Sequence, residues 1–177
     1  MEVFDAIKAR ISARSYDPSR TPPEAVLSRV LESARLAPSA MNYQPWHFVV
    51  VRNSEKRAAM AKARYAGFLK EAPIVIVGCG DRKKSPKWQA VDVTIAMQNM
   101  VMAATSEGLG TCWIGSFDES AIREMLEVPD QWSIVALLAM GYAKKKVSLA
   151  SLLARSRSRK ALSEIVSYEE FGNPEMR

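Results

Sequence analysis

Between Leu36 and Phe48 the chain reads Leu-Ala-Pro-Ser-Ala-Met-Asn-Tyr-Gln-Pro-Trp-His-Phe, and this junction restricts the fold more than any other stretch. Pro38 lacks an amide hydrogen and its ring blocks the preceding turn, while Ser39 and Asn42 favour side-chain bonds to nearby backbone. A helix arriving here must end in an ordered polar turn. Trp46–Val51 then forms an aromatic and β-branched run between Pro45 and the Arg52-Asn53 break, the pattern of a buried strand. A polar loop is thus held at the mouth of an apolar sheet, a common setting for small-molecule chemistry, although a plain helix-to-strand connection would use the same residues.

The flanking pattern supplies the scaffold. Val3, Phe4, Ile7 and Ile11 recur at helical spacing and predict a first helix with one buried face. Thr21 with Pro22, Pro23 and Glu24 fits a capping box ahead of a second helix that carries Val26, Leu27, Val30, Leu31 and Ala34. Asn53 or Ser54 starts a helix to about Lys70, and Pro73–Cys79 reads as a second buried strand. Gln89–Glu107 is a long helix, apolar on most sides and closed by Gly108, and Met97, Met100, Met102 and Met125 are packing residues. Asp118 caps a short helix to about Leu126, and Ser133–Met140 is a third apolar strand. Gly108–Gly115 reads as a glycine-rich turn. Strands separated by helices would, on pattern alone, suggest an α/β sheet.

Several kinds of chemistry are excluded. His47 is the only histidine, placed in an expected buried strand, so no hydrolytic triad and no zinc or two-histidine iron site can be assembled around it. Cys79 and Cys112 are too far apart for a redox motif and read as buried free thiols. Gly78-Cys79-Gly80 leads into Asp81-Arg82-Lys83-Lys84 rather than a helix, so the dinucleotide-binding glycine fingerprint is absent. Any chemistry must therefore be carried by something bound. The net charge of +6 is concentrated between Gln131 and Ser163, where seven cations meet no acid, yet no nucleic-acid-binding pattern accompanies them. An anionic small molecule or a solvated basic face accounts for the surplus better. With 177 residues, 48% hydrophobic and 25% charged, no linker, no long apolar span and an acidic rather than basic start at Met1–Asp5, the expectation is one domain over 1–177, away from membranes and in the cytoplasm.

Three segments in order, Arg10-Ile11-Ser12-Ala13-Arg14, the Leu36–Phe48 stretch and Gly108-Leu109-Gly110-Thr111-Cys112-Trp113-Ile114-Gly115, resemble the FMN-dependent nitroreductase family, and the likeness runs from about Phe4 to Phe171. The resemblance implies an α+β fold in which a mixed, mostly antiparallel sheet is wrapped by helices in an intertwined homodimer, with a tail of about 147–177 embracing the partner subunit. It implies FMN at the subunit interface, held by Arg10, Ile11, Ser12 and Arg14, by Pro38, Ser39, Ala40 and Asn42 of the other copy, and by Trp113, Ile114 and Gly115 along the ring. Arg159 matches the arginine that reaches the FMN phosphate. A guanidinium fork with a hydroxyl suits a terminal phosphate, since each charge-assisted bond contributes roughly 1.5 to 3 kcal/mol. Two departures stand out: Ile11 occupies a place where the family often has a second arginine, and Ala161 one where proline is common.

The implied activity is hydride transfer from NAD(P)H through the flavin to an electron-poor acceptor such as a nitroaromatic or quinone, with no catalytic side chain and no metal. A flavin-handling protein without NAD(P)H turnover is the alternative. Tyr65 and Phe68 are either core residues or walls of the substrate cavity, and Trp88 belongs to a short basic loop, Arg82–Trp88, which is either solvated or the rim of that cavity.

Overall fold

In the strand Ile74–Asp81 (β2), Val75, Val77 and Cys79 pack into one apolar cluster and Ile74 and Ile76 into another, so both faces of the sheet are covered. The computed structural model describes residues 1–144 and 159–173, which belong to two units, Met1–Lys144 and Lys145–Arg177. In the first unit the order is α1 (Val3–Ala9), α2 (Glu24–Arg35), β1 (Trp46–Val51), α3 (Ser54–Met60), β2, α4 (Gln89–Ser106), β3 (Gly110–Ile114), α5 (Glu119–Leu126) and β4 (Trp132–Gly141). The sheet runs β1-β2-β4-β3 with every neighbour antiparallel, Val49 facing Val77, Val77 facing Leu137 and Trp113 facing Leu138. This is the α+β arrangement that the resemblance implied, and the α/β reading of the pattern is set aside.

Helices α2 and α4 cover one face through Leu27, Val30, Ala34, Val93, Met97 and Met100; Met60 of α3 and Ile122 of α5 cover the other. Gly78 lets α4 approach, since a Cβ there would run into the Met97 side chain. Helix α4 stops at Gly108, whose φ of 74° belongs to the left-handed region that glycine enters freely. The Leu109 N–H donates to the Ala104 carbonyl at 2.8 Å and the Gly108 N–H to Thr105 at 3.0 Å, which satisfies the last carbonyls of the helix. Asn53 and Asp118 cap α3 and α5 as expected, accepting from Lys56 N–H and Ala121 N–H. Both cysteines are free and buried.

Several local expectations are corrected. Among the described residues β1 is an edge strand, with Val51 its only buried residue and His47 exposed, because β2 alone pairs with it there. The helix expected to reach Lys70 ends at Met60; Arg57 turns its guanidinium onto the carbonyls of Leu69, Lys70 and Ala72, and Tyr65 is left-handed at φ 66°. Thr21 caps nothing: Pro23 sits at the α2 N-cap without a side-chain bond. In place of a turn over Gly108–Gly115 there is a strand, β3, in which Thr111, Cys112 and Trp113 supply β-branched and aromatic bulk. The apolar face of α1 is not buried in this chain, for Val3, Phe4, Ile7 and Ile11 are all exposed and only Ala6 is covered.

In the second unit a short 3-10 turn spans Leu162–Glu164, and Glu164 accepts from the Ala161 N–H at 2.7 Å. Ala161 has φ −64°, the value proline imposes, so the departure at this position leaves the backbone angle unchanged. Within the tail expected to embrace a partner, 147–158 and 174–177 lie outside the described residues.

Candidate functional site

The basic segment is locked to β3. Ser12 bridges Thr111 in parallel, and the Ala13 N–H donates to the Thr111 carbonyl at 2.8 Å. Tyr16, fully buried, donates its hydroxyl to the Ala13 carbonyl at 2.8 Å, which ties the segment down from its far end, and burial raises the phenol's pKa. With Ala13 turned inward, Ser12 and Arg14 face outward. The Arg10 Nη1 lies 3.4 Å from the Ser12 hydroxyl, and neither Arg10 nor Arg14 forms an ion pair among the described residues. Burial pushes the Cys112 thiol up in pKa, opposed by the nearby Arg14 and Arg10. Two arginines and a serine are thus carried beside β3 on a fixed backbone, and neither guanidinium meets an acid among the described residues. Ile11 is exposed.

The turn after α2 carries a second set of residues. Met41, Asn42 and Gln44 all have positive φ, 51°, 55° and 49°, an unusual concentration for non-glycine residues and a form of strain that gathers at functional sites. Ser39 Oγ accepts from the Gln44 N–H at 2.8 Å, the Asn42 N–H donates to the Ser39 carbonyl, and the Gln44 amide donates to Asn42 Oδ1. Asp92, on the first turn of α4, accepts from the Ala40 N–H at 3.1 Å. Pro38 and Asn42 are exposed, and Ser39 and Ala40 half-buried.

The remaining expected residues divide. Trp113 is half-buried, the Ile114 side chain is in the core, and Gly115 is open, so Ile114 can offer only its backbone to a ligand. Strand β3 brings these three together with Arg10, Ser12 and Arg14, while α4 brings Trp88 near the 38–44 turn, since the Asp92 N–H bonds to the Trp88 carbonyl. Trp88 is 47% exposed with Lys87 over its ring. Phe68 packs on the core and against Tyr16, whereas Tyr65 is exposed under Arg64. Arg159 is exposed in the second unit. Sequence reasoning missed Asp92 and Gln44; a lone acid in an otherwise apolar helix was the available signal for the first. Two surface cavities of about 180 and 260 Å³, one beside Arg57 and one beside His47 and Trp132, contain none of the expected site residues. Among the described residues no cluster of metal ligands occurs, and no helix is long and apolar enough to cross a membrane.

A sequence model of the Nitroreductase family matches residues 7–72 and 62–142, spanning the basic segment, the 38–44 turn and β3. The chain belongs to the nitroreductase family. A relative from Methanothermobacter thermautotrophicus, provisionally named an NADH dehydrogenase/NAD(P)H nitroreductase, is 36% identical over 149 residues, 80% of this chain and 78% of that one. A nitroreductase family protein from Clostridium difficile 630 superposes with a TM-score of 0.84 at 32% identity, over 97% of this chain and 100% of that one. An FMN-dependent nitroreductase from Clostridium difficile R20291 gives a TM-score of 0.74 at 30% identity, over 89% and 98% of the two chains. Nitroreductase membership makes the chain an oxidoreductase.

Proposed function

We propose that this nitroreductase is an FMN-dependent enzyme that works as a homodimer, takes hydride from NADH or NADPH and delivers electrons to a nitroaromatic or quinone. The observation that carries the reading is the pair Arg10, half-buried, and Arg14, exposed, both free of any acid partner among the described residues and carried beside β3 with Ser12 between them. Such a donor set fits a phosphate and the electron-rich edge of a reduced ring. FMN, when bound, accepts hydride and hands electrons on, and the family resemblance and one FMN-dependent neighbour support its presence.

The residues themselves bind, orient and exclude. Arg10 and Ser12 would take the phosphate; Arg14 would stabilise negative charge on the ring. Trp113 and Gly115, with the Ile114 backbone, would lie along the ring. Pro38, Ser39, Ala40 and Asn42 would approach from the partner subunit, and Trp88, Tyr65 and Phe68 are candidates for the substrate wall. The basic segment pairs with β3 beyond the C-terminal end of α4 while the 38–44 turn hangs from its N-terminal end, and eighteen residues of helix rise about 27 Å. Two half-sites carried at opposite ends of one helix favour assembly from two chains, as do the exposed Val3, Phe4, Ile7 and Ile11. The test is an absorbance spectrum of the purified protein with FMN, before and after anaerobic NADH and NADPH. Bleaching of the flavin bands, reversed by a quinone, is expected; a protein that is colourless once unbound FMN has been removed would overturn the reading.

A further inference from the structure

We propose that Asp92 is a positioning residue: its bond to the Ala40 N–H holds the 38–44 turn in the shape that receives the flavin, a role that rests on the FMN reading above. Asp92 is 3% exposed, yet among the described residues only one of its two oxygens, Oδ1, has a partner, the Ala40 N–H at 3.1 Å; Oδ2 is buried without one there. Burying a half-satisfied carboxyl is unfavourable, and so is holding Met41, Asn42 and Gln44 at positive φ. Both costs meet at one contact, and neither is needed merely to join α2 to β1.

The placement on α4 is inverted. Val91 and Ile95 are 45% and 36% exposed while the acid between them is inside. An acid in the first turn is favoured by the partial positive charge of the helix N-terminus, which helps Asp92 persist there. That effect alone would be served equally by an exposed acid; what burial adds is the grip on Ala40. Inside the turn, Ser39 and Gln44 bond to one another, and Asp92 is the side chain that ties α4 to the turn's backbone among the described residues. Through it, the helix that presents Val91 and Ile95 also sets the turn's shape.

Because Oδ2 has no partner, an amide should serve in place of the acid. Asp92→Asn keeps an oxygen for Ala40, and Asp92→Ala removes it; if Asp92→Ala does not fold, Asp92→Ser, too short to reach Ala40, replaces it. Three readouts apply: hydrogen exchange of the 38–44 peptide without flavin, FMN affinity by titration, and visible circular dichroism of the bound flavin. Asp92→Ala should lose exchange protection over 38–44, bind FMN about ten-fold more weakly and alter the dichroism, whereas Asp92→Asn should stay within about three-fold of the unaltered protein and keep its spectrum. Unchanged protection and affinity in Asp92→Ala, or equal damage in Asp92→Asn, would overturn the proposal. If the unaltered protein takes up no FMN, the flavin reading fails by itself, and exchange over 38–44 still decides whether Asp92 holds the turn.

Discussion

Gly110 and Ala13 are packed so closely that a Cβ on Gly110 would lie 2.7 Å from the Ala13 Cβ, and 2.9 Å from that of Ala143 on its other side. Both obstacles are methyl groups on backbone, which cannot swing away as a long side chain can. Gly110→Ala must therefore push the Arg10–Arg14 segment off β3. Overpacking of this kind costs about 1 to 3 kcal/mol. The variant should melt lower and bind FMN more weakly, and the second effect separates it from overpacking remote from the site. An FMN affinity equal to that of the unaltered protein would show that the seat of the basic segment is unimportant to binding.

Arg14 is exposed beside β3 and meets no acid there. With FMN bound as proposed, Arg14→Ala would remove a cation from beside a ring that gains negative charge on reduction. The midpoint potential of the bound flavin should fall, by roughly tens of millivolts. Spectroelectrochemical titration of the two proteins reads this directly, and an unchanged potential would remove Arg14 from the ring's edge.

Phe4 and Ile7 are 65% and 51% exposed on one helix whose spacing is that of a buried face. Covering each such side chain is favourable by about 1.5 to 3 kcal/mol. The double variant Phe4→Glu with Ile7→Glu should weaken a dimer at least about a hundred-fold without unfolding the chain, which sedimentation velocity and circular dichroism would check together.

Where the sequence was legible, a local rule settled the matter: Gly108 ends α4, and Asn53 and Asp118 start α3 and α5. Where it misled, the deciding contact was distant or absent. An unbroken apolar run such as Trp46–Val51 looks the same in a central strand and at an edge, and α1 has an apolar stripe whether its cover is this chain or another. Strand β3 was hidden by glycines that serve close packing as well as turns. Of the site, the cations and the polar turn were readable by residue type; the run of left-handed residues and the buried Asp92 were not, because both depend on which backbone groups tertiary packing leaves for a side chain to bond.

Glu127 closes α5 at φ 56°, with the Val128 N–H bonded to the Arg123 carbonyl at 3.0 Å. This position ordinarily belongs to glycine, and a side chain there is strained. Glu127→Gly should raise stability by up to about 1 kcal/mol in urea denaturation, with flavin binding unaffected. A loss of stability would mean that the Glu127 side chain offsets its own strain.

Cys79 is almost wholly buried in β2 beneath the α5 face, and burial pushes its thiol up to about 11, from 9.0. In the unfolded chain the thiol loses its proton first, so between pH 9 and 11 the unfolded form is favoured progressively as pH rises. The contribution is complete below the unfolded value and is lost on the way to the folded one; two units correspond to at most about 2 to 3 kcal/mol. Cys79→Ala removes this titration while leaving those of Cys112 and Tyr16, whose pKa values burial also raises. Denaturation midpoints measured from pH 8 to 11 should therefore fall less steeply for Cys79→Ala, and parallel curves would mean that the thiol titrates in the folded protein as it does in the unfolded one.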